Sequence, residues 1–210
     1  MKRLYNASIL FVLALSIFLS GCATNQKLSD VDRKRIDVVK VNDKVEKVPQ
    51  MFYFGPGAAI GLMFGAIGGA IAGAANIGPG EELLAFAEKN GVRIEEIVSQ
   101  EFNEALRKSG KVKIVDSQGT KAATINVSVT QFGFSVPHGF SSILVPIVSI
   151  KCELIDVDGK VLWIGNDRVL PLGNPVEGIP ADEMRQNAKA IESAWRGASK
   201  HIVTNIINEL

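Results

Sequence analysis

Residues 123–136 read A-T-I-N-V-S-V-T-Q-F-G-F-S-V. Ala123, Ile125, Val127 and Val129 alternate with Thr124, Asn126 and Ser128, the period of a strand with one face buried and one face wet. Beyond Thr130 and Gln131 the apolar set moves to Phe132, Phe134 and Val136, so the parity changes by one residue. A strand that keeps the same face on the core across that change needs one extra residue, which predicts a β-bulge at Thr130 and Gln131. Downstream, residues 147–157 and 160–164 flank Asp158-Gly159, the signal of a two-residue hairpin. It would pair Ile150, Cys152 and Leu154 with a returning strand that carries Val161 and Trp163.

Helical periodicity brackets these strands. Residues 93–109 place Ile94, Ile97, Val98, Phe102, Ala105 and Leu106 on one face and Glu95, Glu96, Glu104, Arg107 and Lys108 mainly on the other; Gly110 stands where a left-handed cap ends such a helix. From 181 to 208, Met184, Ala188, Ile191, Trp195, Ala198, Ile202 and Ile206 recur every three or four residues, which predicts one long terminal helix. A short helix at 81–89, a short strand at 112–115, and a strand or broken hairpin at 36–48 complete the reading. The expected fold class is α/β of the α+β kind, a mostly antiparallel sheet packed by an amphipathic helix and a long C-terminal helix.

The chain has 210 residues, with 23 Lys and Arg against 22 Asp and Glu. That balance leaves no basic footprint for nucleic acid, so no nucleic-acid partner is expected. Residues 1–21 carry Lys2 and Arg3, an uncharged and mostly apolar run from Ala7 to Leu19, and then Ser20-Gly21 before Cys22. These are the parts of a signal peptide. The run is too short to cross a hydrocarbon core of ~30 Å comfortably. Leu19-Ser20-Gly21-Cys22 resembles the lipobox of bacterial lipoproteins. That resemblance implies a diacylglycerol on the Cys22 sulfur, cleavage before Cys22, and a fatty acid such as palmitate on the new amine. Ala23 and Thr24, with no Asp after the cysteine, resemble the pattern sent on to the outer membrane. The expected organisation is a signal peptide at 1–21, a lipidated tether at 22–35 and a periplasmic domain at 36–210.

Residues 48–80 contain no Asp, Glu, Lys or Arg, and nine of the twenty glycines fall between 55 and 80. Gly57, Gly61, Gly65, Gly69 and Gly73 recur every four residues and would form one slowly rotating stripe on a helix, a pattern that resembles a glycine zipper. Such a stripe admits close helix packing and predicts oligomerisation. A flexible Gly/Ala linker is the other reading. Against it stand Ile60, Leu62, Met63, Phe64, Ile67 and Ile71, which a solvated linker would expose. Gly55-Pro56-Gly57 with Gly61 misses the G-x-G-x-x-G spacing of a phosphate-binding loop.

The lipobox, the segment Ser109-Gly110-Lys111-Val112-Lys113-Ile114-Val115-Asp116, a strand opening after Lys121-Ala122-Ala123, the hairpin Asp158-Gly159-Lys160-Val161-Leu162-Trp163 and a terminal helix together form a recognisable order. It resembles the periplasmic domain of the curli-secretion lipoprotein group and its relatives in exopolysaccharide export and peptidoglycan-synthase activation, over residues 36–50 and 93–208. The resemblance implies a homo-oligomer or a partner-binding envelope protein without catalysis, and the glycine-rich insertion departs from it. Reactive candidates are few. Cys152 alternates with Ile150 and Leu154 on a face expected to be buried, His138 lies in a Pro-His-Gly loop, and His201 borders the apolar stripe of the terminal helix. A cysteine-dependent hydrolase using Cys152 and a histidine is one alternative. A carrier of a small apolar ligand, held between sheet and terminal helix and lined by Trp163 and Trp195, is another. No spacing of metal ligands occurs, and neither a metal nor a cofactor is expected.

Overall fold

The structure, a computed structural model, describes residues 25–36, 38–55, 78–115, 121–138 and 141–210. Its centre is three long antiparallel strands, β5 (Ala123–Ser135), β6 (Ile143–Ile155) and β7 (Val161–Val169). They follow a segment of short strands, β1 (Val38–Val41), β2 (Glu46–Lys47) and β3 (Phe52–Phe54), the last of which precedes the helices α2 (Pro79–Lys89) and α3 (Ile94–Ser109) and the strand β4 (Lys113–Ile114). The fold is therefore mixed α/β, with an eight-stranded sheet and its helices packed against it.

The expected bulge is present: the β5–β6 register shifts between Val129 and Gln131. It lets Ile125, Val127 and Val129 face the core below the shift and Phe132 and Phe134 above it, all nearly inaccessible. The β6–β7 connection differs in length from expectation. Lys160 accepts the Asp156 N–H through its carbonyl at 2.9 Å, and the Gly159 N–H returns to the Asp156 carbonyl at 3.0 Å, which leaves a three-residue loop at 157–159. A register shift between Leu154 and Ile155 absorbs the odd residue.

Sequence alone did not give the partners of the N-terminal strands. β1, β2 and β3 each run parallel to β5, pairing Val39 with Ala123, Glu46 with Ser128 and Phe52 with Gly133. They form one interrupted strand along the whole length of β5, and β4 adds to β1, also in parallel. The hairpin considered for 36–48 is thus replaced by two strands on a common neighbour, because Val39 and Val45 both turn to the core while the chain between them bends away at Asn42 to Lys44. Gly133 makes the upper pairing possible. Its φ of +146° is disfavoured for other residues, and a Cβ there would collide with the Phe52 backbone.

α3 forms where the apolar stripe predicts it, with Glu95 and Glu96 in its first turn, Arg107 and Lys108 in its last, and Gly110 at φ +64° ending it. The terminal helix is broken. β8 (Ile179–Pro180) pairs with the start of β6 and leads into a single turn, α4 (Ala181–Met184), before α5 (Ala188–Glu209). The interruption falls at Asn187, whose side chain caps α5 by accepting the Lys189 N–H at 3.1 Å. Met184 and Ala188 both suit the stripe, so periodicity alone hides the break. On α5, Trp195 stacks on Phe134 at 5.6 Å between ring centroids and meets Phe132 edge-on at 5.7 Å, tying the helix to the strand above the bulge.

Residues 25–35 correct the reading of a polar tether that needs no fold. Gln26 exchanges both backbone hydrogen bonds with Ile164 on the outer edge of β7, at 2.9 and 3.0 Å. Leu28 is buried, and Ser29 caps a short helix, α1 (Asp30–Arg35). Arg35 then donates to Asp156 at 2.6 Å. The polar composition suits an edge strap: one leucine supplies the apolar contact, and side chains satisfy exposed backbone groups of β7.

Candidate functional site

Cys22 and the glycines at 57, 61, 65, 69 and 73 lie outside the described residues, so the site is approached through the segments that flank them. Asn25 is fixed at both ends of its amide. Its Oδ1 accepts the Asn166 N–H at 2.9 Å and the Asn166 side-chain amide at 3.2 Å, and its Nδ2 donates to Glu209 at the end of α5 at 3.0 Å. Gln26 adds a side-chain donation to the Leu162 carbonyl at 3.1 Å. The folded chain is thus already held at Asn25, three residues after Cys22. Beside this point lies a broad concavity of about 810 Å³, with Asn25, Thr130, Ile150, Asn166 and Arg168 among its walls.

The glycine-rich segment leaves the described chain after Gly55 and returns at Gly78. A second concavity of about 200 Å³ lies by these ends, with Tyr53, Leu83, Phe86, Leu144 and Met184 among its walls and Glu82 and Arg185 beside them. It lies where α2, which begins with Pro79 and buries Leu83, packs on β3 and α5. The site expected for an apolar carrier was elsewhere, between the sheet and the terminal helix. That interface is occupied by Ile191, Trp195, Ala198, Ile202, Val203 and Ile206, all buried. Trp163 is equally buried, close to Gly165, where an added Cβ would meet both Trp163 and Ile206 at under 3 Å.

Cys152 sits in the middle of β6, between Val127 and Gly165 on the neighbouring strands, with no accessible surface. Burial pushes its thiol far above the ordinary range, and the charge of Glu153 adds to the effect. A nucleophilic cysteine needs the opposite shift and access to substrate. His138 and His201 are both exposed, and the polar neighbour of His201 is Asn205 at 3.3 Å. The structure therefore does not bring the three reactive candidates together. Among the described residues, no group of three or more His, Cys, Asp or Glu is placed to hold a metal, and no helix is long and apolar enough to cross a membrane.

Two charged groupings escaped the sequence reading. Glu101 lies on the buried side of α3, and Arg196 on α5 donates to it at 2.8 Å and to Glu192 at 2.9 Å. The hydrogen bonds it donates to Glu192 and then to Glu101 raise the Arg196 pKa, so the guanidinium holds the two helices at one register. Lys47 on β2 reaches Glu88 at 2.8 Å and Glu95 at 3.6 Å while lying over the Phe132 ring. The available signal for the first was Glu101 itself, an acid between Ile97, Val98 and Phe102 on the apolar stripe. Both groupings link elements and face no cavity described above.

No family model matches the chain, and comparison with curated proteins finds no match either. Among solved structures, the chain is similar to the PelC dodecamer of Paraburkholderia phytofirmans, with 14% identity, a TM-score of 0.41 and coverage of 89% of this chain and 94% of that one. It is also similar to a Xanthomonas campestris protein carrying the DUF330 family model, with 10% identity, a TM-score of 0.44 and coverage of 82% and 81%. At these levels the likenesses carry no functional argument.

Proposed function

We propose that the chain is a non-catalytic lipoprotein of the outer membrane, anchored through Cys22 and facing the periplasm, where its domain assembles with copies of itself or with an envelope partner in assembly or export. The observation that supports this most is the joint between anchor and domain: a lipobox whose cysteine stands three residues before Asn25, itself held by β7 and α5. A chain built this way couples a membrane anchor directly to a folded body. Burial of Cys152 weighs against the cysteine hydrolase. Metabolic labelling with a fatty-acid analogue tests the anchor: wild type incorporates label and fractionates with membranes, and Cys22→Ser does neither. An unlabelled wild-type chain that still fractionates with membranes overturns it.

Self-association through the stripe at 57–73 is the second part of the reading. Gly65→Leu gains helix propensity, by up to about 1 kcal/mol, yet its side chain would hold a neighbouring backbone away. The oligomer of the detergent-extracted protein is therefore expected to dissociate in Gly65→Leu, as read by crosslinking and native mass. An unchanged oligomer removes the stripe from the interface.

A further inference from the structure

We infer that the loop Leu170-Pro171-Leu172 enters the bilayer that holds the lipid of Cys22, so that the domain rests on the membrane with this corner down. The inference builds on the lipobox reading and adds an orientation to it. The strap fixes a direction. Gln26 is antiparallel to Ile164, and Asn25 binds Asn166, so the strap, followed from Gln26 to Asn25, runs along β7 in the direction of Arg168 and Leu170. Three residues reach at most about 11 Å, which holds Cys22 within that distance of Asn25 and stops it about one residue short of Leu170, itself four steps or about 13 Å of extended chain from Asn166. A leash this short keeps the lipid surface of an acylated Cys22 near the Asn166 to Leu170 stretch and so near the end of β7.

That end is shaped for it. Leu172 is 81% exposed and Leu170 43%, both in a loop that side-chain bonds hold in place. Asn174 donates to the Pro146 carbonyl at 2.7 Å, and the Val176 N–H returns to Asn174 Oδ1 at 2.9 Å. This hold is possible because β7 ends at Val169 opposite Val148 and β8 resumes only opposite Leu144, which leaves the Pro146 carbonyl without a strand partner on that side. A held loop with two solvated leucines loses little conformational entropy on insertion, and exposed Arg168 beside it suits lipid phosphates. The short leash and the exposed leucines are independent observations that converge on one corner.

The test places an environment-sensitive fluorophore on Leu172→Cys in the acylated full-length protein. Cys152 is buried and Cys22 carries lipid, so the label goes to the introduced thiol. Val157→Cys, at the opposite end of β7, serves as the reference; Val157 is also an exposed apolar residue. The proteins are reconstituted into vesicles of phosphatidylethanolamine with a minority of phosphatidylglycerol, with nitroxide on the acyl chains. The label at 172 is expected to shift to the blue and to be quenched several-fold more strongly than the label at 157. Vesicle-bound protein whose label at 172 stays in water, or whose shift follows protein density and ignores the nitroxide, overturns the inference; the second result assigns the loop to a contact between copies. Protein that fails to float with the vesicles overturns the anchor and the inference together.

Discussion

The β7 edge of the sheet is closed by a second piece of chain, whereas the side facing away across β5 is closed by being broken into pieces. At β7, Gln26 takes the backbone bonds of Ile164 and Asn25 covers Asn166. On the other side, β1, β2 and β3 offer four, two and three residues in turn, with β4 covering part of β1 and each interruption returning the chain to the core at Val45 and Met51. An unpaired edge invites pairing with another chain, and short, bent strands remove the template as effectively as a cover does. The difference lies in what each device depends on. The last pairing on the broken side, β3 on β5, needs one backbone geometry, at Gly133; the covered side needs backbone and side-chain partners that must arrive from far along the sequence.

The largest effect is expected on the broken side. Gly133→Val puts a side chain into the Phe52 backbone at a positive φ, and should destabilise the domain by about 4 kcal/mol, with loss of β3 pairing, as read by chemical denaturation. On the covered side, Leu28→Ala removes the one buried apolar anchor of the strap and should cost about 2 kcal/mol, with faster amide exchange at Gln26 and Ile164. Asn25→Ala should cost about 1 kcal/mol and expose the strap to protease while the β5–β6–β7 core stays protected. Equal effects of Gly133→Val and Asn25→Ala would remove the contrast between the two edges.

Much of this architecture was legible because burial writes a period into the sequence. The alternation at 123–129 and its change of parity gave β5 and its bulge, and the stripes of α3 and α5 gave the helices that cover the core face. Periodicity records which face is buried, and it is silent on which neighbour a strand takes or in which direction. The valines at 39, 41 and 45 therefore predicted strands but not parallel pairing with β5. The strap was invisible for a different reason: its hold rests on amide side chains and partners at the far end of the sequence, and Leu28 is its one buried anchor. Of the candidate site, burial of Cys152 was readable from its alternation with Ile150 and Leu154. Cys22 and the glycine stripe rest on sequence alone.

The contact between Asn25 and Asn166 joins residues 141 positions apart, and this separation orders events in time. A contact of such span carries a large loop-closure cost until intervening structure brings its ends together. β7 must be in place before there is an edge to cover, so a chain made from its N-terminus presents the strap first and docks it last. Under the lipidation proposed above, Cys22 would until then sit on a long arm that includes the whole strap, within reach of the enzymes that modify and cut a leader. Completion of the sheet reels that arm in. On that proposal the strap would act as a clock, leaving the anchor loose while it is processed and short once the domain is finished.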